Sequence, residues 1–159
     1  AQRFGGRGRQ MKSELTKTIK QEIYSAVKAD KLGIYGCFEV SFGKGYGDQY
    51  CDFATMSSDN IFRCYEIKIS ASDFRSKNKL SFIGDYNYFV LPAELYEAVK
   101  SEIPWNVGVY VYRNGHCYCE KKARKRLFTI GERIDLMHGF IRSLSRFTTK
   151  IVNEAADNG

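Results

Sequence analysis

Apolar positions repeat with two different periods along the chain, and the period predicts which segments are helices and which are strands. An apolar residue recurs at every fourth position from Leu15 to Val27, which is typical of one face of a helix. Ser13 is suited to be the N-cap of this helix, and Ala29 marks its expected end. Over residues 34–42 apolar and polar positions alternate, which predicts a strand.

The rest of the chain continues with strand-like and helix-like segments in turn. Ser70 or Ser72 can cap the helix that follows the third strand, and Pro92 can open the next helix. Asn114-Gly115 is a strong signal for a hairpin turn. The remaining predicted strands are 49–56, 61–69, 86–91, 107–112 and 116–121, and the remaining predicted helices are 72–80, 93–102 and 132–153.

The order of these elements is α-β-β-β-α-β-α-β-β-α, so helices and strands are mixed and several neighbouring strands form hairpins. This order favours an α/β domain of the α+β kind, with a mixed sheet flanked by helices, over a doubly wound parallel fold. One domain over residues 11–153 suits a chain of 159 residues. Residues 1–10 are expected to be a disordered basic tail or a remnant of expression cloning, and residues 154–159 a second disordered tail.

The last predicted helix carries a long apolar stripe. Its spacing of three and four residues places the stripe on one side of the helix, which predicts either core packing or the seam of a homodimer. The members of the stripe are Ile134, Met137, Ile141, Leu144, Phe147 and Ile151.

Composition and charge narrow the class of protein. The net charge of +7 favours a polyanion as partner, chiefly nucleic acid, although a basic surface can also serve solubility alone. No apolar run approaches the roughly 18 residues of a membrane span, and the first residues show no apolar signal-peptide core, so neither a membrane nor secretion is expected. The odd count of five cysteines favours a reducing compartment.

Three charged residues lie within otherwise apolar predicted strands. Glu66 and Lys68 are two positions apart and therefore share a face, and Asp52 can lie opposite Glu66 if the two strands form a hairpin. Charges in such surroundings are costly unless they pair with each other or bind a metal. Two carboxylates suit Mg²⁺, and the backbone carbonyl of Ile67 offers a further oxygen. Lys68 could orient a water or offset charge on a phosphate, so this trio points to phosphodiester hydrolysis.

A plainer interpretation of the same residues stays open at this point. An E-x-K pair within a strand is common by chance. Glu66 and Lys68 would then form a solvated face, and Asp52 would pair with a nearby lysine.

The element order, together with Asp52, Glu66 and Lys68, resembles the PD-(D/E)xK nuclease superfamily with its restriction-endonuclease-like αβββαβ core. The run Glu66–Phe74 and the basic residues after it are similar to the MmcB-like DNA repair group, and the similarity covers roughly residues 34–126. The resemblance implies a Mg²⁺- or Mn²⁺-dependent deoxyribonuclease, in DNA repair, restriction or phage DNA processing. Asp52 and Glu66 would hold the metal and Lys68 would assist the attacking water.

One feature of the sequence departs from the family pattern, and one position of that pattern has two candidates here. Cys51 stands where the superfamily name has proline. The family also uses an additional upstream acid, for which Glu39 on the first strand and Glu14 on the first helix are both candidates. Each has a plain alternative, a surface acid on a strand for Glu39 and an acid favoured by the helix dipole for Glu14.

Basic residues supply the candidates for nucleic-acid contact. They lie in a glycine-rich turn, in the segment after the E-x-K strand, and in a dense run after the predicted last strand. Charge alone would let them bind phosphates without reading base sequence. The candidates are Lys44, Arg75, Lys77, Lys79, Lys121, Lys122, Arg124, Lys125 and Arg126.

The expected setting is the cytoplasm of a bacterium or of a phage-infected bacterial host. DNA is the expected partner, RNA is an alternative, and a homodimer is compatible with the stripe on the last helix. Two other functions remain in view: a nucleic-acid-binding module without catalysis on the same scaffold, and an inhibitor that binds protein through its aromatic surface.

Overall fold

The computed structural model describes residues 5–42, 50–76 and 82–159. Its helices are α1 (Gly5–Ala26), α2 (Ala71–Phe74), α3 (Ala93–Val99) and α4 (Ile130–Asp157), and a 3₁₀ turn, Lys100–Glu102, follows α3. Its strands are β1 (Ile34–Ser41), β2 (Tyr50–Ser57), β3 (Phe62–Ile67), β4 (Tyr86–Pro92), β5 (Gly108–Arg113) and β6 (His116–Lys121).

In the described part of the chain, six strands form one mixed sheet in the order β1-β2-β3-β4-β5-β6. The two pairings within β3-β4-β5 are parallel, and the other pairings are antiparallel. The parallel pairs need crossovers, which α2 and α3 provide, whereas β5 and β6 form the hairpin expected at residues 114–115. The predicted mixed sheet with flanking helices, C-terminal hairpin and long last helix is confirmed.

Helices cover both faces of the sheet. On one face α1 inserts Ile19 and Ile23 among the aromatic side chains of the central strands. On the other face α4 lies over β1–β3, and α3 lies over β4 and β5. Glu66 lies on this second face, because the residues two positions before it and directly across from it, Cys64 and Phe89, belong to the two cores of that face. In the described segments, no helix is both long enough and apolar enough to span a bilayer.

The predicted ends of the first and last helices are wrong. Helix α1 begins at Gly5, so Ser13 is not its N-cap, and residues 5–10 are helical rather than a disordered tail. Thr129 caps α4 through a reciprocal capping box with Glu132, and the helix runs on to Asp157. Residues 154–157 are therefore helical too, since they consist of good helix formers apart from the final aspartate.

The helix predicted over residues 72–80 is shorter in the described part of the chain. Ser70 is its N-cap, because its hydroxyl accepts a hydrogen bond from the Asp73 backbone N–H. Helix α2 ends at Phe74, and residues 77–81 lie outside the described part. The α2 segment thus brings Asp73 back toward the end of β3 within one turn.

The core-facing side of α4 differs from the predicted stripe. The buried residues of α4 are Leu136, Gly139, Phe140 and Ser143. At Gly139 the helix comes so close to β1 that an added Cβ would lie 2.6 Å from the Ser41 carbonyl oxygen. The helix packs on β1 through the side that carries Gly139, and most of the predicted stripe is exposed.

A fully buried carboxylate, Asp85, joins the sheet to α4. Its Oδ2 accepts a hydrogen bond from the Phe62 backbone N–H at 2.8 Å, where β3 begins. Both of its oxygens also accept from the Arg133 guanidinium of α4, each at 3.0 Å. The backbone N–H of Arg126 donates to the Asp85 carbonyl at 2.7 Å, which ties down the connector between β6 and α4.

Replacing Asp85 with Ala should lower the free energy of unfolding by about 3–5 kcal/mol, because it leaves a partly buried guanidinium without its carboxylate and a buried N–H without its acceptor. Denaturant unfolding followed by circular dichroism measures the loss. An exposed acid that pairs within its own helix, Glu154, provides the control variant Glu154→Ala, expected to change stability little. A loss below about 1 kcal/mol in Asp85→Ala would contradict the assigned role of this ion pair.

Candidate active site

The strand registers bring three acidic positions level with one another. The β1–β2 register puts Glu39 level with Asp52. The β2–β3 ladder ends at the pair of Phe53 and Tyr65, and one position further Asp52 is level with Glu66. The predicted hairpin geometry, with Asp52 opposite Glu66, therefore agrees with the observed register.

The Asp52 side chain also forms a hydrogen bond with the backbone of β3. Its Oδ2 accepts a hydrogen bond from the Ile67 backbone N–H at 2.8 Å, in place of a further backbone bond between β2 and β3. The next N–H, of Lys68, donates to Val90 of β4 at 3.1 Å instead. Since successive backbone groups of a strand point alternately to its two sides, the Ile67 carbonyl is directed to the Asp52 side.

Glu66 is 5% exposed, and its charge acts on the nearby Cys51 thiol. Burial raises the pKa of the Cys51 thiol well above its usual range, and the nearby Cys64 and the Glu66 charge raise it further. Cys51, at the position where the superfamily name has proline, is thus a neutral and fully buried neighbour of the site. It contributes an apolar wall rather than a thiolate ligand.

Lys68 is also buried, with 7% of its surface exposed. Its Nζ lies 3.6 Å from Oδ1 of Asp73 on α2, and the other oxygen of Asp73 faces the Ile69 N–H at 3.5 Å. The ammonium is therefore held between the end of β3 and the capped turn of α2. Sequence reasoning missed this role of Asp73, although the Ser-x-x-Asp spacing from Ser70 is the capping signal that could have indicated it.

Within residues 5–42, 50–76 and 82–159, no third acid joins this group. Glu39 is exposed and has a backbone φ of +52°, which breaks the regular alternation of β1, and its carbonyl accepts from Arg146. Glu14 is exposed on α1, which packs on the opposite face, and pairs with Lys17 at 3.8 Å. Across residues 5–42, 50–76 and 82–159, no three His, Cys, Asp or Glu side chains are close enough together to hold a metal ion.

The donor set that remains still fits Mg²⁺ or Mn²⁺. Magnesium is commonly bound through one or two carboxylates and keeps several of its waters. Asp52 and Glu66 supply two carboxylates on neighbouring strands, and the Ile67 carbonyl is directed from β3 toward Asp52. All three are oxygen donors, which is what a hard divalent cation prefers.

Several predicted nucleic-acid contacts fall outside the site or are already paired. Lys44, Lys77 and Lys79 lie outside the described residues. Arg75 makes two hydrogen bonds to the carboxylate of Glu102, at 2.9 and 2.8 Å. This pairing raises the pKa of Arg75 and lowers that of Glu102, so the Arg75 charge is engaged within the protein.

The basic run after β6 divides into structural and exposed members. Lys121 donates to the Pro104 carbonyl at 2.9 Å, and partial burial lowers the pKa of its ammonium. Arg126 donates to the Ile83 carbonyl at 2.8 Å and stacks on Phe128. The exposed members, which remain available to phosphates, are Lys122, Arg124 and Lys125.

Comparisons with known proteins support the fold and do not indicate an activity. No family model matches the sequence, and no curated protein matches it. A solved structure of a protein of unknown function from Silicibacter pomeroyi is similar, with a TM-score of 0.70 and 14% sequence identity. The match covers 86% of this chain and 90% of that one. At this identity the likeness shows a shared fold only.

Substitutions that keep shape but remove charge should test the metal donors. In Asp52→Asn the side chain can still accept from Ile67 N–H, and Glu66→Gln preserves volume, so both variants should fold. Wild-type protein should melt at a higher temperature in Mn²⁺ or Mg²⁺ than in EDTA, because a ligand that binds only the folded state stabilises it. Each variant should lose this increase, as measured by differential scanning calorimetry.

The control for this experiment is Glu120→Gln, which removes an exposed carboxylate from β6. It should keep the full metal-dependent increase. An equal increase in the wild type and in both site variants would show that the cation binds elsewhere.

Proposed function

We propose that the protein is a metal-dependent deoxyribonuclease of the PD-(D/E)xK kind, with Asp52, Glu66 and Lys68 as its catalytic residues. The observation that carries the proposal is the position of Asp52 level with Glu66, with the buried Lys68 held just beyond the end of the same strand. The order of helices and strands agrees with the restriction-endonuclease-like core that the sequence resembles.

Each residue has a definite task in this proposal. Asp52, Glu66 and the Ile67 carbonyl would hold a Mg²⁺ or Mn²⁺ ion, which when bound supplies a Lewis acid and lowers the pKa of a coordinated water. The Lys68 ammonium donates hydrogen bonds to the attacking water or to the phosphate oxygen on which charge develops. Asp73 acts as a positioning residue, because its carboxylate keeps that ammonium from turning away.

Charge supports DNA as the substrate, with RNA as the alternative. Lys122, Arg124 and Lys125 are exposed on the connector after β6, and the chain as a whole carries a net charge of +7. Such residues bind the phosphate backbone without reading sequence. Five free cysteines, four of them buried, agree with the proposed reducing cytoplasm of a bacterium or a phage-infected host.

A nucleic-acid-binding module without catalysis is the second candidate. It is favoured by one observation, that no third acid joins Asp52 and Glu66 in the described part of the chain. On this alternative the buried charges form a structural cluster, and only the exposed basic residues carry the function.

The first test is cleavage of labelled single-stranded, duplex and branched DNA in Mg²⁺, Mn²⁺ or EDTA. Wild-type protein should cut only with metal, and Lys68→Ala should lower the rate by about 100-fold or more, the usual cost of removing one transition-state donor. Lys12→Ala, which removes an exposed lysine on α1 outside the site and outside the proposed binding surface, should keep the rate. Retained cutting by Lys68→Ala would remove the mechanism, and binding without cutting by the wild type would establish the second candidate.

Binding has its own test, made in EDTA so that no strand is cut. Replacing Lys122, Arg124 and Lys125 together with Ala should weaken DNA binding, and should make the salt dependence less steep by up to about 0.9 per lost phosphate contact. Fluorescence anisotropy over a series of salt concentrations measures both. The matched control replaces Lys12, Lys17 and Lys31, which are exposed at the α1 side. Equal losses in the two triple variants would refute a localised binding surface.

A further inference from the structure

Helix α4 is much longer than the surface it covers. Its buried residues end at Ser143, whose hydroxyl accepts from the Ser41 backbone N–H at 3.1 Å. From Leu144 to Asp157 every residue of the helix is exposed. A helical segment of this length is only marginally stable in water without packing, so a partner for its apolar side is expected.

One side of α4 follows the spacing of a coiled coil. Its residues are apolar except for Thr148, and they are exposed except for Met137, which is half-buried against the core. Three- and four-residue steps alternate along the helix, as in the a and d positions of a heptad repeat. The a positions are Ile134, Ile141 and Thr148, and the d positions are Met137, Leu144 and Ile151. Ile134, Ile141 and Ile151 are 50%, 58% and 66% exposed. Val152 and Phe147 border this α4 stripe and are exposed as well.

No charged residue shares the face of the α4 stripe between Ile134 and Ala155, given 3.6 residues per turn. The basic side chains of this region project from another side of the helix. Arg142 and Arg146 donate there to the backbone carbonyls of Ser41 and Glu39 in β1, at 3.4 and 3.2 Å. An uncharged face of this length does not suit nucleic acid, and it carries none of the positive charge that would make two copies repel each other.

A second copy of this chain is a fitting partner, because it carries the same uncharged stripe. Isoleucine at two a positions and leucine at the central d position are typical of two-stranded coiled coils. An interface made by this stripe on two chains would be at the lower end of the size of stable interfaces, which is roughly 1,200 Å² in total. We propose that the protein forms a two-fold symmetric dimer in which the α4 stripes of the two chains pack against each other.

Sedimentation velocity on the full chain, from low to high micromolar concentration, tests the proposal. The wild type should sediment as a dimer, and Ile141→Glu and Ile151→Glu should each weaken association at least tenfold. Both isoleucines are exposed in the single chain, so circular dichroism should show folded variants. Asn153→Glu adds the same charge on another side of the helix and should leave the dimer intact.

Two results would overturn the proposal. One is a wild type that stays monomeric at all concentrations, and the other is a dimer that Ile141→Glu and Ile151→Glu do not weaken. Flotation of the wild type with vesicles of phosphatidylcholine and phosphatidylglycerol tests whether the stripe binds a lipid surface instead of a second chain. A monomer that binds these vesicles, and loses binding in Ile141→Glu, would assign the stripe to a lipid surface instead.

Discussion

The ion pair between Asp85 and Arg133 holds together parts of the chain that are far apart in sequence. A carboxylate with no exposed surface must have its oxygens satisfied, and here the start of β3 and the first turns of α4 satisfy them together. The bond from Phe62 fixes the first residue of β3, and the rest of the strand, up to Glu66 and Ile67, continues from that point in one register. Glu66 and Lys68 therefore occupy their place partly because Asp85 fixes the other end of the same strand.

The candidate site is built where regular pairing stops. Beyond Phe53 and Tyr65 the strands β2 and β3 no longer form a ladder, and the Asp52 carboxylate takes up the freed N–H of Ile67. The same side chain thus closes the sheet and faces Glu66. In the function proposed above, a divalent cation between these two acidic positions would offset the repulsion between their charges.

Most of the fold was predictable from the sequence, because alternation and helical spacing are local. The six strands of the described residues were predicted within about two residues. A hairpin of β2 and β3 was expected to put Asp52 opposite Glu66, and the observed register puts these two positions level. What failed depends on distant partners or on backbone detail. Nothing near Arg75 in the sequence indicates Glu102, 27 positions away. The positive φ of Glu39 and the close crossing at Gly139 are likewise invisible to a pattern of apolar residues.

The close crossing at Gly139 also fixes how far α4 extends beyond the sheet. If α4 slid along β1 by one turn, Asp135 or Ser143 would arrive where only a residue without a Cβ fits, because of the Ser41 carbonyl. The helix is therefore locked along its own axis, and its free half always projects from the sheet by the same number of turns. In a pair of chains joined through that half, the separation of the two candidate sites would be set by a rigid arm of fixed reach.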